Sequence, residues 1–302
     1  MVPVNSTTGV FKLFIMKKLP VILLLFLFSA SFGQTLRLIS PDDIPGMTMT
    51  RADTFSGKDI SRYVGDRTYL CMEYGIKLLF VGEYNFQGDK VKLEVFVMDD
   101  EPSAYGLYSL SITNCNIWNL FSTFSCTNIN RVSASWGQFF INTVNLNKTS
   151  SGQGLCQQIV QQIITNNPKD TWYLPPLFQL PEVSPYINSL KYAEGPYGIS
   201  LGAPVLGPLL KDLKFNCYSV TIMKPNFSGI LARIVFQEAG ALNDFLINVG
   251  LNSTNSTTPV MSGSGAYQSC YIMDDYKLIY LQCNSADLNL SDILPEKTNP
   301  FW

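Results

Sequence analysis

Lys77-Leu-Leu-Phe-Val-Gly-Glu-Tyr-Asn-Phe86, then Gln87-Gly88-Asp89, then Lys90-Val-Lys-Leu-Glu-Val-Phe-Val-Met98, is the stretch on which the fold turns. The first run is rich in the apolar and aromatic residues that suit a pleated surface, and Gln87-Gly88-Asp89 supplies a turn. The last run alternates, with Val91, Leu93, Val95 and Val97 set against Lys92, Glu94 and Phe96. A β-hairpin follows, and the charged positions read as its solvated face. Before it, Ile60, Tyr63, Val64, Leu70 and Cys71 recur at helical spacing over 58–74, and Gly75 closes that segment. After it, Asp99-Asp100-Glu101-Pro102 opens a short helix over 103–109, where Pro suits the first turn and acid suits the N-terminus.

Working outward, 34–57 reads as mixed turns. Strands are predicted over 131–136 and 139–145, joined by Gly137-Gln138, and an amphipathic helix over 154–166. Pro168, Pro175, Pro176, Pro181 and Pro185 then mark a connector too apolar, with Trp172, Leu177 and Phe178, to swing free in solvent. It is expected to lie extended across the protein. The remainder repeats the opening pattern: strands over 215–224 and 230–237, a helix over 238–249, an Asn/Ser/Thr/Gly-rich loop over 250–265, and a hairpin over 266–283 with its tip at Asp275-Tyr276. The fold class is therefore α+β, two similar ββαββ(α) units with antiparallel sheets packed against helices. The first unit spans 34–167, the packed connector 168–214 and the second unit 215–302.

Residues 16–33 have a different grammar. Lys17 and Lys18 precede an apolar run from Leu19 to Phe28, and Ser31 and Gly33 sit at the small-residue positions before a cut. This is the pattern of a secretory signal peptide over 1–33, with Met16 an alternative start and the mature chain beginning at Gln34. The run is shorter than the roughly 20 residues that cross a bilayer, and no later stretch is long enough. The expected location is secreted or periplasmic/extracellular, with no membrane span after signal removal.

Composition excludes more than it assigns. The chain of 302 residues is 46% hydrophobic, 15% charged and carries a net charge of −2, which suits a well-packed globule. No basic block is available to neutralise phosphates, so nucleic acid is not an expected partner. There is no histidine, which removes Ser-His-Asp triads, Cys-His dyads and His-based zinc sites. No Cys-x-x-Cys pair and no helix-opening Gly-rich loop occurs, so no metal or cofactor is expected. Seven cysteines in an exported chain read as disulfide candidates, with Cys115–Cys126 clipping a loop and Cys270–Cys283 facing across the last hairpin. Asn147, Asn226, Asn252, Asn255 and Asn289 lie in Asn-x-Ser/Thr sequons and are glycosylation candidates.

With imidazole absent, acid–base chemistry would fall to carboxylates, and Glu73, Glu83, Glu94 and the 99–101 acids are the candidates. A pair at suitable spacing could hydrolyse a glycan. The aromatic and basic residues of the first half, Arg62, Arg67, Tyr69, Tyr74, Tyr105 and Trp136, are the candidates for binding. Packing accounts equally for the tyrosines, and an ion pair to Asp59 or Asp66 for the arginines.

Tyr63-Val64, Leu70, Tyr74-Gly75-Ile76, Glu83-Tyr84, Val95-Phe96-Val97-Met98 and Ala104-Tyr105-Gly106-Leu107-Tyr108-Ser109 follow one another in a familiar order. In this the chain resembles the mostly bacterial exported family known as domain of unknown function 6599. Leu180-Pro181 and Tyr192 also match, and the resemblance runs from Pro41 to about Val249. One run departs: Asp66-Arg67-Thr68-Tyr69 stands where members carry Gly-Gly-Ala-Glu. The resemblance implies an architecture and export, and no reaction. Together these readings give an exported, non-enzymatic binding or surface-associated module with an unknown ligand or surface partner; the alternative is a carboxylate-dependent, glycan-directed hydrolase.

Overall fold

Thirteen strands and seven α-helices make up the described part of the chain, which in this computed structural model comprises residues 36–112, 116–117, 124–169, 172–251, 256–262, 265–287 and 290–294. The expected signal peptide over 1–33 lies outside the described residues. Residues Ile39–Trp302 group as one compact unit.

The first half begins with β1 (Thr48–Ser56), in a stretch the sequence presented as turns. The helical segment expected over 58–74 is two helices, α1 (Lys58–Val64) and α2 (Thr68–Glu73), separated by a 3₁₀ turn at Gly65–Arg67. The hairpin β2 (Leu78–Phe86) and β3 (Asp89–Val97) follows. Its tip residues Gln87 and Gly88 both have positive φ, 53° and 91°, the backbone that a two-residue hairpin turn demands. Helix α3 (Glu101–Ser111) is capped by Asp100, whose Oδ1 accepts the Ser103 amide at 2.8 Å. The short β4 (Asn116–Ile117) and β5 (Ser125–Asn128) lead to β6 (Arg131–Trp136) and β7 (Phe139–Asn145), and α4 (Ser150–Asn166) closes the half.

The proline-rich connector forms two 3₁₀ turns, Pro176–Gln179 and Ser184–Ser189, and buries Leu177, Phe178 and Val183. The second half then runs β8 (Lys191–Ala193), α5 (Pro196–Gly202), β9 (Phe215–Lys224), β10 (Phe227–Phe236), α6 (Ala241–Val249), β11 (Ser256–Met261), β12 (Tyr267–Asp274), β13 (Lys277–Cys283) and α7 (Leu290–Ile293).

Both sheets are antiparallel and share one topology. The first has the order β1-β2-β3-β7-β6-β5-β4, and the second, taken from its β8 edge, β8-β9-β10-β13-β12-β11. The two-unit α+β architecture is thus present, and its true repeat is longer than ββαββ. Each half opens with an edge strand and a helix before the hairpin.

The correspondence extends to single residues. Leu79 pairs with Phe55 and Cys217 with Ala193; each second-half residue stands 138 positions after its counterpart (217 − 79, 193 − 55). The same offset relates Glu94↔Asn142 to Ala232↔Tyr280, the Trp136↔Phe139 turn to Asp274↔Lys277, and α1 to α5 (196 − 58). A β-bulge between Ile272 and Asp274 shifts the β12 register by one residue.

One cluster of buried residues draws on both sheets. Leu79, Phe96 and Phe140 of the first sheet and Val220, Leu231 and Leu281 of the second meet the side chains of α2, α3 and the connector. On the opposite face of the first sheet, α4 covers Val91, Leu93, Val95 and Ile141 with Leu155, Ile159 and Ile163. Each such side chain contributes on the order of 1.5–3 kcal/mol on burial. A second cluster lies on the other face of the second sheet, where α6 meets Cys217, Ile234, Phe236 and Tyr280.

The expected Cys270–Cys283 bridge is corrected. Neither cysteine is in a disulfide, and the register sets Cys270 opposite Tyr280 and Cys283 opposite Tyr267. The two cysteines lie an odd number of residues out of register, so their side chains point to opposite faces of the sheet and join different clusters. Cys126 is buried on β5 and is not a free thiol, and Cys115 lies outside the described residues.

Candidate functional site

The six binding candidates scatter. Tyr74 and Tyr105 are interior residues, a correction to their surface reading: the Tyr74 hydroxyl donates to the Tyr192 carbonyl at 2.5 Å and the Tyr105 hydroxyl to the Leu190 carbonyl at 3.2 Å. They tie α2 and α3 of the first half to the start of the second. Arg62 is exposed and pairs with Asp59 at 2.9 Å, and Arg67 lies 5.9 Å from the centre of the Phe96 ring. Trp136 donates its indole N–H to the Asn167 carbonyl at 2.7 Å and carries the Lys169 ammonium over its ring. Tyr69 alone is a free aromatic surface, 65% exposed and stacked on Tyr197 with ring centres 5.3 Å apart.

Of the sequons, Asn147 and Asn226 are exposed, at a strand end and in the β9–β10 turn. Asn252, Asn255 and Asn289 lie outside the described residues. No group of three or more metal-ligating side chains occurs among the described residues, and no described helix is long and apolar enough to cross a membrane.

The carboxylates are engaged in structure. Glu94 is only 3% exposed, because α1 lies over what looked like a solvated face. Its Oε1 accepts from the Tyr63 hydroxyl at 2.8 Å and the Lys92 ammonium at 2.9 Å; its Oε2 accepts from the Asn142 amide at 2.9 Å. Asn142 in turn accepts from Ser133 at 2.8 Å. Burial pushes the Glu94 pKa up, and the donors Lys92, Asn142 and Tyr63 outweigh it, holding the carboxyl below the ordinary glutamate range.

A second group forms the seam between the halves. Glu73 on α2 accepts the Tyr197 and Gly198 amides at the start of α5, at 2.9 and 2.6 Å. A side chain at Gly195 would displace the Glu73 carboxylate, 2.7 Å from its Cβ position, and one at Gly198 would run into the buried Tyr74 hydroxyl. Beside them the Ser103 hydroxyl stands 2.6 Å from Asp100 Oδ1 and 2.7 Å from Glu194 Oε1. Burial first, then the charges of Asp100 and Glu73, push the Glu194 carboxyl up to about 7. Glu194 was missed from the sequence, since nothing local distinguishes it.

A cavity of about 470 Å³ opens on the second sheet. Gly202, Ala203, Pro204 and Val205 form one wall at the end of α5; Thr221, Ser228, Gly229, Ile230 and Gln282 come from the strands, and Gly265 and Ala266 from the loop before β12. Among the described residues, no Asp, Glu, Lys or Arg lines it. Leu201 and Met223, both largely exposed, neighbour its lining residues in the chain and on the strand face. The 138-residue offset sets Thr221, Ser228 and Ile230 against Glu83, Lys90 and Lys92 of the first half, so one face is charged and its counterpart neutral.

No family model matches the chain, and no curated protein matches it. Two solved structures align with it, described as crystal form III and crystal form I of TP0453. The first shares 14% identity over 84% of this chain and 97% of the other at a TM-score of 0.28; the second shares 13% over 84% and 96% at 0.26. At such scores the likeness carries no argument, and the functional reading rests on the chain's own geometry.

Proposed function

We propose that the protein is an exported, non-enzymatic binding module whose second half holds an uncharged, mainly apolar small molecule. The supporting observation is the cavity of about 470 Å³ whose described lining holds no acidic or basic residue. Small-molecule sites fall at roughly 300–1,000 Å³, mostly apolar with a few polar groups to orient the ligand. Thr221, Ser228 and Asn284 supply such groups, Ile230 and Val205 the apolar surface. Methionine at Met223 adds an adaptable rim. Against glycan hydrolysis stand the two leading carboxylates: Glu73 holds backbone amides, Glu94 is locked in its network, and neither lines the cavity. Export rests on residues 16–33, and the resemblance to domain of unknown function 6599 agrees with it.

Nile red, an uncharged apolar dye, is the probe. It is expected to bind the mature protein with a fluorescence gain that saturates at one dye per chain. The double substitution Thr221→Glu, Ser228→Lys restores first-half charges at two exposed positions and is expected to weaken binding at least tenfold. Equal binding by both proteins, or none by the wild type, overturns the reading.

A further inference from the structure

One helix joins the seam to the cavity. α5 begins where Glu73 accepts the Tyr197 and Gly198 amides and ends at Gly202, the first residue of the cavity wall. What holds its start therefore bears on the wall at its end.

The seam contains a proton that can be counted. The Ser103 hydroxyl lies within hydrogen-bond reach of two carboxyl oxygens, yet it has one proton to donate. At these distances the second contact needs a proton from the carboxyl side. Asp100 is exposed, and its Oδ1 already accepts the Ser103 amide. Glu194 is the more buried of the two, so the proton belongs to it. The order is Glu194 carboxyl to Ser103 hydroxyl to Asp100 carboxylate.

The groups that face Glu194 are Glu73 at the end of α2 and Tyr74 just after it, Asp100 and Ser103 at the start of α3, Tyr192 on β8 and Tyr218 on β9, with Arg233 on β10 acting on Tyr218 from beyond. The charges that act most strongly on Glu194, Asp100 and Glu73, are both negative. Ionising Glu194 would place a third negative charge in the same seam, beside the carboxylate that caps α5.

We propose that a proton on Glu194 latches α5 to the first half and thereby sets the cavity wall at Gly202–Val205, making the binding site responsive to pH. This rests on the reading of the cavity as the ligand site. Below neutrality the latch is closed. Above it, repulsion among Glu194, Asp100 and Glu73 loosens the start of α5, and the wall follows. The raised pKa of Glu194, about 7, puts the transition in an accessible range.

Amide hydrogen exchange on the mature protein tests the latch without any ligand. Corrected for intrinsic rates, protection of the Tyr197, Gly198, Ala203 and Leu206 amides is expected to fall at least tenfold from pH 5.5 to pH 8.5. In Glu194→Gln, whose amide mimics the protonated acid, the change is expected to be under twofold. Asp100→Asn, which keeps a capping oxygen, is expected to move the midpoint to lower pH and serves if the first variant folds poorly. Identical profiles in wild type and variants, or a change confined to the seam amides with the wall unmoved, overturn the proposal. Nile red affinity is expected to fall at least threefold over the same range in wild type alone. Binding without pH dependence overturns the latch and leaves the cavity reading standing. No dye binding with the exchange pattern intact overturns the cavity reading and supports the latch.

Discussion

The two halves solve one packing problem in opposite ways. On the helix-covered face of the first sheet, Lys92, Glu94 and Asn142 form a half-buried polar network with Tyr63 and Ser133, centred on the buried Glu94. The residues 138 positions later are Ile230, Ala232 and Tyr280, and that face is apolar. A charge is tolerated there only because every oxygen of Glu94 finds a donor; the second half avoids the requirement. The outer layers differ too. α4 needs seventeen residues to cover the far face of the first sheet, while α7, at the same place in the repeat, has four among the described residues. The matching face of the second sheet is already covered by the helices of the first half and the connector. Stacking the halves makes the second long helix redundant.

The largest expected effect comes from breaking the network alone. Glu94→Ala copies the second half at one position, leaves Asn142 without its acceptor and leaves Lys92 only the Tyr63 hydroxyl at 3.3 Å. Urea unfolding should show a loss of about 2–4 kcal/mol, less than for a fully buried pair because the Lys92 side chain stays 30% exposed. The triple substitution Lys92→Ile, Glu94→Ala, Asn142→Tyr copies the second half in full and should recover most of it. If the single variant is as stable as the triple one, the network is not what distinguishes the halves.

The seam comes next. Gly198→Ala pushes a methyl group into the Tyr74 hydroxyl and Glu73, and overpacking of this kind costs about 1–3 kcal/mol. The corresponding substitution at Gly154, which has open space around it on the surface of α4, should instead leave stability equal or higher.

Stability against pH separates Glu94 from Glu194. The Glu194 carboxyl is raised from 4.5 to about 7, so its contribution is complete below about 4.5 and is lost as pH rises through about 7. The Glu94 carboxyl is lowered, so its contribution is present above its ordinary value and is lost as pH falls through the folded value. Thermal melts of Glu194→Gln should therefore lack the decline between pH 4.5 and 7 that wild type shows, and those of Glu94→Gln should lose part of the decline in acid. The reverse assignment of the two slopes would refute the environments described.

The smallest effect probes the apolar side of the comparison. The Tyr280 hydroxyl is buried with no hydrogen-bond partner, where its counterpart Asn142 is fully engaged. Tyr280→Phe should be neutral or stabilise by up to about 1 kcal/mol, and Tyr63→Phe should destabilise by a similar amount. A marked loss in Tyr280→Phe would mean that the second half has a polar network of its own.

Strand alternation at Val91–Val97, the turns at Gln87-Gly88 and Asp275-Tyr276, the acidic cap before α3 and the doubling of the pattern were all written in neighbouring residues, because periodicity and turn chemistry are local. The α+β class follows from them. β1, β8, α5 and β11 were not legible: their residues are turn-rich or polar, and pairing with β2, β9 or β12 decides their conformation. Tertiary structure alone decided that Glu94 is buried, that Cys270 and Cys283 face apart, that burial and nearby carboxylates raise the Glu194 carboxyl to about 7, and that the second half carries a cavity whose described lining is uncharged. Each depends on which layer comes to lie over a residue, and that layer is built from chain tens of residues away.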